Sequence, residues 1–274
     1  MSRFQTSWEI AKRSWAVLKS DKSLAWFPVL SALASIAVIA AMGGLIAVAG
    51  IDNSSTGDSL APLGWVFIVL AYVGLAFVQT YFLAGLVAGA DMRLHGQDST
   101  VKTALAKANG KLHRLLPWAI VSATVSAIIS QIERQGIIGQ IIGRLIGLAW
   151  SLITFMTIPI IMIEDLGVIP ALKRSRDLFK HTWGENVIAF GGLGLVGFLV
   201  TIPGVLLVFA GVAIGSVGFA LAGVGVVWML GAAVVMSALS GIYRTALYRY
   251  ASTGEVPGDF SGIDFQAQFR PRRS

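Results

Sequence analysis

The 274-residue sequence contains no cysteine, which excludes disulfides, thiolate metal sites and thiol catalysis. It is also poor in charge. Asp, Glu, Lys and Arg make up 13% of residues against 55% apolar, whereas soluble domains carry roughly 25% charged residues. The scarcity is uneven: Leu24–Gly50 runs for 27 residues and Val187–Tyr243 for 57 without one charged side chain. A membrane-spanning helix takes about 20 predominantly apolar residues, so the composition points to a bilayer rather than to a large soluble core. The apolar run after the basic N-terminal segment exceeds the roughly 7–15 residues of a cleaved signal core and reads as a retained first helix.

Six apolar stretches are predicted to span, at 24–50, 63–90, 115–132, 138–163, 187–209 and 217–243. The long uncharged run is divided near Gly211–Gly218, because 57 residues in one helix would extend about 85 Å at 1.5 Å per residue. None of the deep portions carries Asp, Glu, Lys, Arg or His. Proton relays, voltage sensors and most ion-coupled transporters need ionisable groups at depth, and these classes fall away.

What charge there is has a sidedness. Lys and Arg number five in the N-terminal arm, five over residues 91–116, four over 164–186 and five from Arg244 onward, making 19 on one side; Arg134 and Arg144 are the two on the other. The positive-inside rule assigns the basic side to the cytoplasm. Both termini are then cytoplasmic in a multi-pass protein of the cell membrane.

Each pair of spans follows a basic segment of helical period. Phe4, Trp8, Ala11, Trp15 and Leu18 form one stripe, with Lys12 and Lys19 flanking it. Val101, Leu105, Ala108, Leu112 and Leu115 form a second, beside Lys107, Lys111 and Arg114, with Ser99 or Thr100 as its cap. The third begins near Pro170 and carries Lys173, Arg174, Arg176 and Lys180. The fold class expected is all-α: six transmembrane helices as three hairpins, each preceded by a cytoplasmic interfacial amphipathic helix. Residues 1–250 form one transmembrane domain and residues 251–274 a cytoplasmic tail.

Candidate motifs are few. Gly192-Leu-Gly-Leu-Val-Gly197 has dinucleotide-binding spacing but lies inside a span, without the strand and exposed phosphate site that chemistry needs. Gly139, Gly143 and Gly147 share a helix face and let another backbone approach; Gly211 and Gly215 have the same spacing. His95, His113 and His181 have no second histidine at helical spacing, so no metal is expected. The Glu164-Asp165 pair, which stands before the third basic segment, offers acid–base chemistry or a cation site or, more commonly, is solvated or ion-paired with nearby bases. Arg144 is a partner for Glu133 or reaches the interface by its long stem. Gln79, Thr80, Tyr81, Thr154 and Thr157 are a candidate polar lining, or hydrogen-bond between helices.

A series of motifs carries a resemblance: Ser14-Trp15 leading to Phe27-Pro28, Ile158-Pro159 through Glu164, Ala171-Leu172-Lys173-Arg174-Ser175, Trp183-Gly184, and Tyr248-Arg249-Tyr250 through Glu255-Val256-Pro257. Together they resemble an uncharacterised prokaryotic six-helix membrane family, a domain of unknown function. More distantly they are similar to the membrane domain attached to some glycerophosphodiester phosphodiesterases. The resemblance covers nearly the whole chain and implies a six-helix membrane fold without an activity; no phosphodiesterase catalytic domain is present.

The expectation is therefore a non-enzymatic membrane protein that binds or organises lipids or partner proteins, with no cofactor. Lys12, Lys19, Lys107, Lys111, Arg114, Lys173, Arg174 and Lys180 are the side chains expected to face anionic lipid. Membrane lipids are the expected partners, with a homo-oligomer or a membrane protein partner alongside them, and nucleic acid is not. The alternative is a transporter or channel for a neutral or amphipathic solute.

Overall fold

A computed structural model describes residues 3–48, 62–183, 191–215, 218–254, 256 and 258–260. The described residues are helical, without strands. The helices are α1 (Arg3–Ser20), α2 (Trp26–Val48), α3 (Pro62–Leu94), α4 (Val101–Asn109), α5 (Leu112–Glu133), α6 (Gly136–Thr154), α7 (Thr157–Ile163), α8 (Val168–Trp183), α9 (Gly191–Ile214) and α10 (Phe219–Thr253). Six stretches are long and apolar enough to cross a membrane: Lys22–Val48, Gly64–Leu94, Leu112–Glu133, Gly136–Ile163, Val196–Ile214 and Phe219–Thr253. Their outer faces carry exposed Leu33, Ile36, Ile39, Ile141, Leu145, Phe209 and Val227, a burden that water does not reward. Most of the expected tail, and the first loop with Asp52 and Asp58, lie outside the described residues.

The chain divides into two compact units. One comprises Met1–Pro28, Gly89–Thr103 and Asp177–Ser274. In it α1 packs on α9, on α10 and on a short 3₁₀ turn, Gly258–Phe260, burying Ile10, Ala11, Val17, Leu18 and Phe260.

The axis of this unit is the α9–α10 pair. Gly204 faces Gly225, whose carbonyl would lie 3.0 Å from a Cβ at Gly204. A Cβ at Gly211 would stand 2.5 Å from Ala222 N, and Gly218 lies against Gly211. As the position on α9 rises from Gly204 to Gly211, its glycine partner falls from Gly225 to Gly218, so the helices run antiparallel. Gly197, Gly204, Gly211, Gly218 and Gly225 recur every seventh residue, the period that keeps a seam facing its partner. Pro203 inside α9 removes a backbone donor. Nearby, the Trp228 indole donates to the Val200 carbonyl at 2.9 Å.

The second unit comprises Val29–Ala88 and Ala104–Arg176. Here α5 packs on α6, and Trp118 stacks on Trp150 with ring centroids 6.1 Å apart. The fourth predicted span is two helices, because α6 ends at Thr154 and α7 begins at Thr157. Pro159 explains the break: lacking an N–H, it fits the first turn of a new helix, where no intrahelical donor is required. The break frees carbonyls, and the fully buried Ser175 of α8 donates to one of them, the Ile153 oxygen, at 2.5 Å.

Two other predicted boundaries move. The second stripe is interrupted at Gly110 and Lys111, where α4 gives way to α5. Thr100 caps α4, accepting from Thr103 N at 3.1 Å while Thr103 Oγ1 accepts from Thr100 N at 3.0 Å. The last helix runs ten residues past Tyr243 and stops at Gly254, whose φ of 76° ends it.

Candidate functional site

The first candidate surface is the outer face of α1. The sequence stripe grouped Trp8 and Trp15 with Ala11 and Leu18, but the helix is rotated from that expectation. Ile10, Ala11, Ser14, Val17 and Leu18 face inward, whereas Trp8 is 46% and Trp15 41% exposed. Lys12 and Lys19 are exposed as well. Spacings of four, three and four residues put Trp8, Lys12, Trp15 and Lys19 on one narrow strip at 3.6 residues per turn. Lys12 Nζ lies 6.0 Å from the Trp8 ring centroid and Lys19 Nζ 5.8 Å from that of Trp15, at the reach of a cation–π contact. The inward face, which packs on α9 and α10, carries smaller side chains. Trp26, 56% exposed, follows at the start of α2.

The C-terminal end of α1 is pinned. Asp21 accepts from Ser23 N at 3.0 Å and from the Ser99 hydroxyl, and Arg93 Nε donates to Ser20 Oγ at 3.2 Å. Two residues earlier on α3, Asp91 Oδ1 accepts from Arg249 Nε at 2.8 Å and from Nη2 at 2.5 Å. The His95 ring contacts the Asp91 carbonyl through Nδ1 at 2.7 Å, which places the ring proton on Nδ1.

The second candidate lies in the other unit, where the chain turns from α7 into α8. Lys111 Nζ is 2.5 Å and Arg114 Nε 2.9 Å from the same oxygen, Asp165 Oδ1. The Arg114 contact is an ion pair without hydrogen-bond alignment. Beside it in sequence, Glu164 Oε1 accepts from Arg174 Nε at 3.1 Å. Asp165 takes φ 55°, a left-handed conformation that Asp tolerates better than most residues. The hydrogen bond from Lys111 lowers its carboxyl pKa; desolvation opposes this, and the charges of Lys111, Arg114 and His113 add to the lowering.

Four of the eight expected lipid-facing bases are engaged with carboxylates: Lys12 lies 4.0 Å from Glu9 Oε1, and Lys111, Arg114 and Arg174 meet Asp165 and Glu164. Lys12, Lys19, Lys107, Lys173 and Lys180 are exposed. The polar residues of the second and fourth spans bond to separate partners. Gln79 Nε2 donates to Ser35 Oγ at 3.3 Å, Tyr81 OH to Asn109 Oδ1 at 2.7 Å, and Thr154 back to its own helix at the Trp150 carbonyl at 2.8 Å. Thr80 and Thr157 are buried, and Thr157 Oγ1 has no partner among the described residues. Gly139 lies against the Ile132 carbonyl and Gly143 against Glu133, while Gly147 makes ordinary contact with Ile129. Arg144 is exposed on α6, and it forms no ion pair with Glu133 among the described residues. The side chain of His181 lies outside the described residues. Among the described residues, no three His, Asp or Glu side chains gather as metal ligands would.

Two features escaped the sequence. The Asp91–Arg249 pair joins residues 158 apart, and no local pattern announces it. The α9–α10 seam had a signal in its seven-residue glycine period, which spacing by four overlooks; Gly215 at φ 81° sits in open space.

A model described as a family of unknown function, DUF6159, matches residues 62–258. The chain belongs to this family. No curated protein and no solved structure matches it. The DUF6159 stretch contains Asp91 and Arg249 and the whole Lys111–Arg114–Asp165 cluster, and α1 with its Trp–Lys strip precedes it.

Proposed function

We propose that this DUF6159 protein is a non-enzymatic integral protein of the cell membrane that binds anionic lipids at its basic, cytoplasmic side. The observation that carries the reading is the exposed strip Trp8-Lys12-Trp15-Lys19. Indole rings favour the headgroup level, and each Lys near an anionic surface contributes about 1 kcal/mol. A strip pairing both chemistries suits that boundary better than bulk water, where two exposed indoles gain nothing. The 19 to 2 division of Lys and Arg supports the same orientation, with both termini cytoplasmic. Lys107 of α4 and Lys173 and Lys180 of α8 are exposed as well, and in this reading α1, α4 and α8 act as interfacial helices, each introducing a pair of spans. The similarity to glycerophosphodiester phosphodiesterase membrane domains belongs to this proposal as a likeness of membrane fold, without activity. Gln79, Tyr81 and Thr154, each satisfied by a neighbour, favour helix packing over a solute path.

The test is lipid retention by the full chain in mixed phosphatidylglycerol and phosphatidylcholine bilayers. Lys12→Gln with Lys19→Gln is expected to lower phosphatidylglycerol enrichment about tenfold or more, as two contributions of about 1 kcal/mol require. Unchanged enrichment contradicts the reading.

A further inference from the structure

Resting on the lipid reading above, we infer that Lys111 and Arg114 form a binding site for the phosphate of an anionic lipid headgroup, and that Asp165 is the internal anion which that phosphate displaces.

The geometry is that of an occupied anion site. Two cations from the α4–α5 junction converge on a single oxygen, Asp165 Oδ1, as they would on a nonbridging phosphate oxygen. Two positive charges against one carboxylate leave an excess positive charge, and neighbouring Glu164 does not offset it because Arg174 holds it. Donors are left over too. Beyond Asp165, neither Lys111 nor Arg114 meets a partner among the described residues, so the remaining ammonium hydrogens and the outer guanidinium nitrogens are free for a second anion. Gly167 lies beside Arg114, where an added Cβ would make ordinary contact with Nη1 at 3.8 Å.

The occupant is held weakly enough to leave. Asp165 is half exposed, where ion pairs gain little, and its backbone takes a left-handed φ of 55°. It belongs to the short link between α7 and α8, outside the stretches Leu112–Glu133 and Gly136–Ile163. Release of the side chain asks only that link to relax. A carboxylate at this position sets a threshold: the phosphate must compete with it, which zwitterionic lipid, carrying its own ammonium, does poorly.

The experiment is a phosphatidylglycerol titration of the full chain by native mass spectrometry, with phosphatidylcholine as reference. Asp165→Asn is expected to bind phosphatidylglycerol about threefold more tightly than wild type. Adding Lys111→Gln and Arg114→Gln is expected to cancel the gain. Asp165→Gly, which accepts φ 55° without strain, is the second variant and is expected to behave as Asp165→Asn. If both Asp165 variants bind no more tightly than wild type while Lys12→Gln with Lys19→Gln still loses lipid, the inference fails and the lipid reading stands. If the α1 variant also loses nothing, both fail. Glycerol phosphate separates the sources: failure to displace the lipid from Asp165→Asn supports a lipid-borne phosphate, and equal binding of the free ester overturns the lipid assignment.

Discussion

Arg249 directs two guanidinium nitrogens at one oxygen of Asp91, at 2.8 and 2.5 Å, with both side chains mostly withdrawn from solvent. The contact ties the C-terminal turn of α3 to that of α10. Hydrogen bonds between charged groups in such settings contribute roughly 1.5–3 kcal/mol. Arg249→Ala is expected to destabilise the folded protein by about 2 kcal/mol, measured by denaturant unfolding in detergent. Arg249→Lys recovers only part, because an ammonium cannot present two fixed donors to one oxygen. Additive losses in a cycle of Asp91→Ala and Arg249→Ala would show that the two residues do not act together.

The glycine seam of α9 and α10 yields a contrast between positions. At Gly211 an added methyl meets the Ala222 backbone at 2.5 Å, and backbone cannot turn aside. Gly211→Ala should cost about 1–3 kcal/mol by forcing the helices apart. Gly223 and Gly231 have nothing within 4 Å of an added Cβ, so alanine there is expected to be neutral or to stabilise by up to about 1 kcal/mol. Equal responses at Gly211 and Gly223 in thermal unfolding would contradict this packing.

Asp165 gives a pH prediction. Its carboxyl pKa lies below the ordinary 3.8 in the folded protein, chiefly through the Lys111 hydrogen bond. A depressed folded value means that ionisation contributes stability above the unfolded pKa. That contribution fades as pH falls below about 3.8 and through the folded value. The melting temperature of wild type should therefore exceed that of Asp165→Asn at pH 6, and the gap should begin to narrow as the pH falls below about 3.8. A gap that is constant over this range would exclude the carboxylate as its source.

Ser175 caps the interrupted fourth span from outside. Ser175→Ala leaves the Ile153 carbonyl without this donor, and a buried unsatisfied carbonyl costs about 1–3 kcal/mol. Unfolding midpoints of Ser175→Ala and Ser175→Thr should differ, with threonine retaining part of the bond; identical midpoints would remove the hydroxyl from the account.

The spans were legible in the sequence because hydropathy is a property of local composition: all six predicted stretches overlap the six apolar helices. Faces were less so. Residue period on α1 grouped Trp8 with Ala11, yet the contact with α9 and α10 chose Ile10, Ser14 and Val17 for the inside. Apolar character marks a side chain as able to pack; it does not say whether protein or lipid receives it. The carboxylates at Glu164 and Asp165 were visible as a pair with bases nearby, but which bases each one meets, Arg174 for Glu164 and Lys111 with Arg114 for Asp165, was not. Asp91 and Arg249 stand in separate basic segments, and only the fold brings them together. Long-range pairing of this kind has no periodic signature.

The account turns on where the α1 strip lies, and the absence of cysteine makes that directly measurable. A single spin label at Lys12→Cys, with a second chain labelled at Lys19→Cys, reports depth in vesicles through collisions with oxygen and with an aqueous nickel complex. The account predicts both labels at headgroup level in phosphatidylglycerol-containing vesicles and a shift toward water when only phosphatidylcholine is present. Full aqueous access at both positions, whatever the lipid, would contradict it.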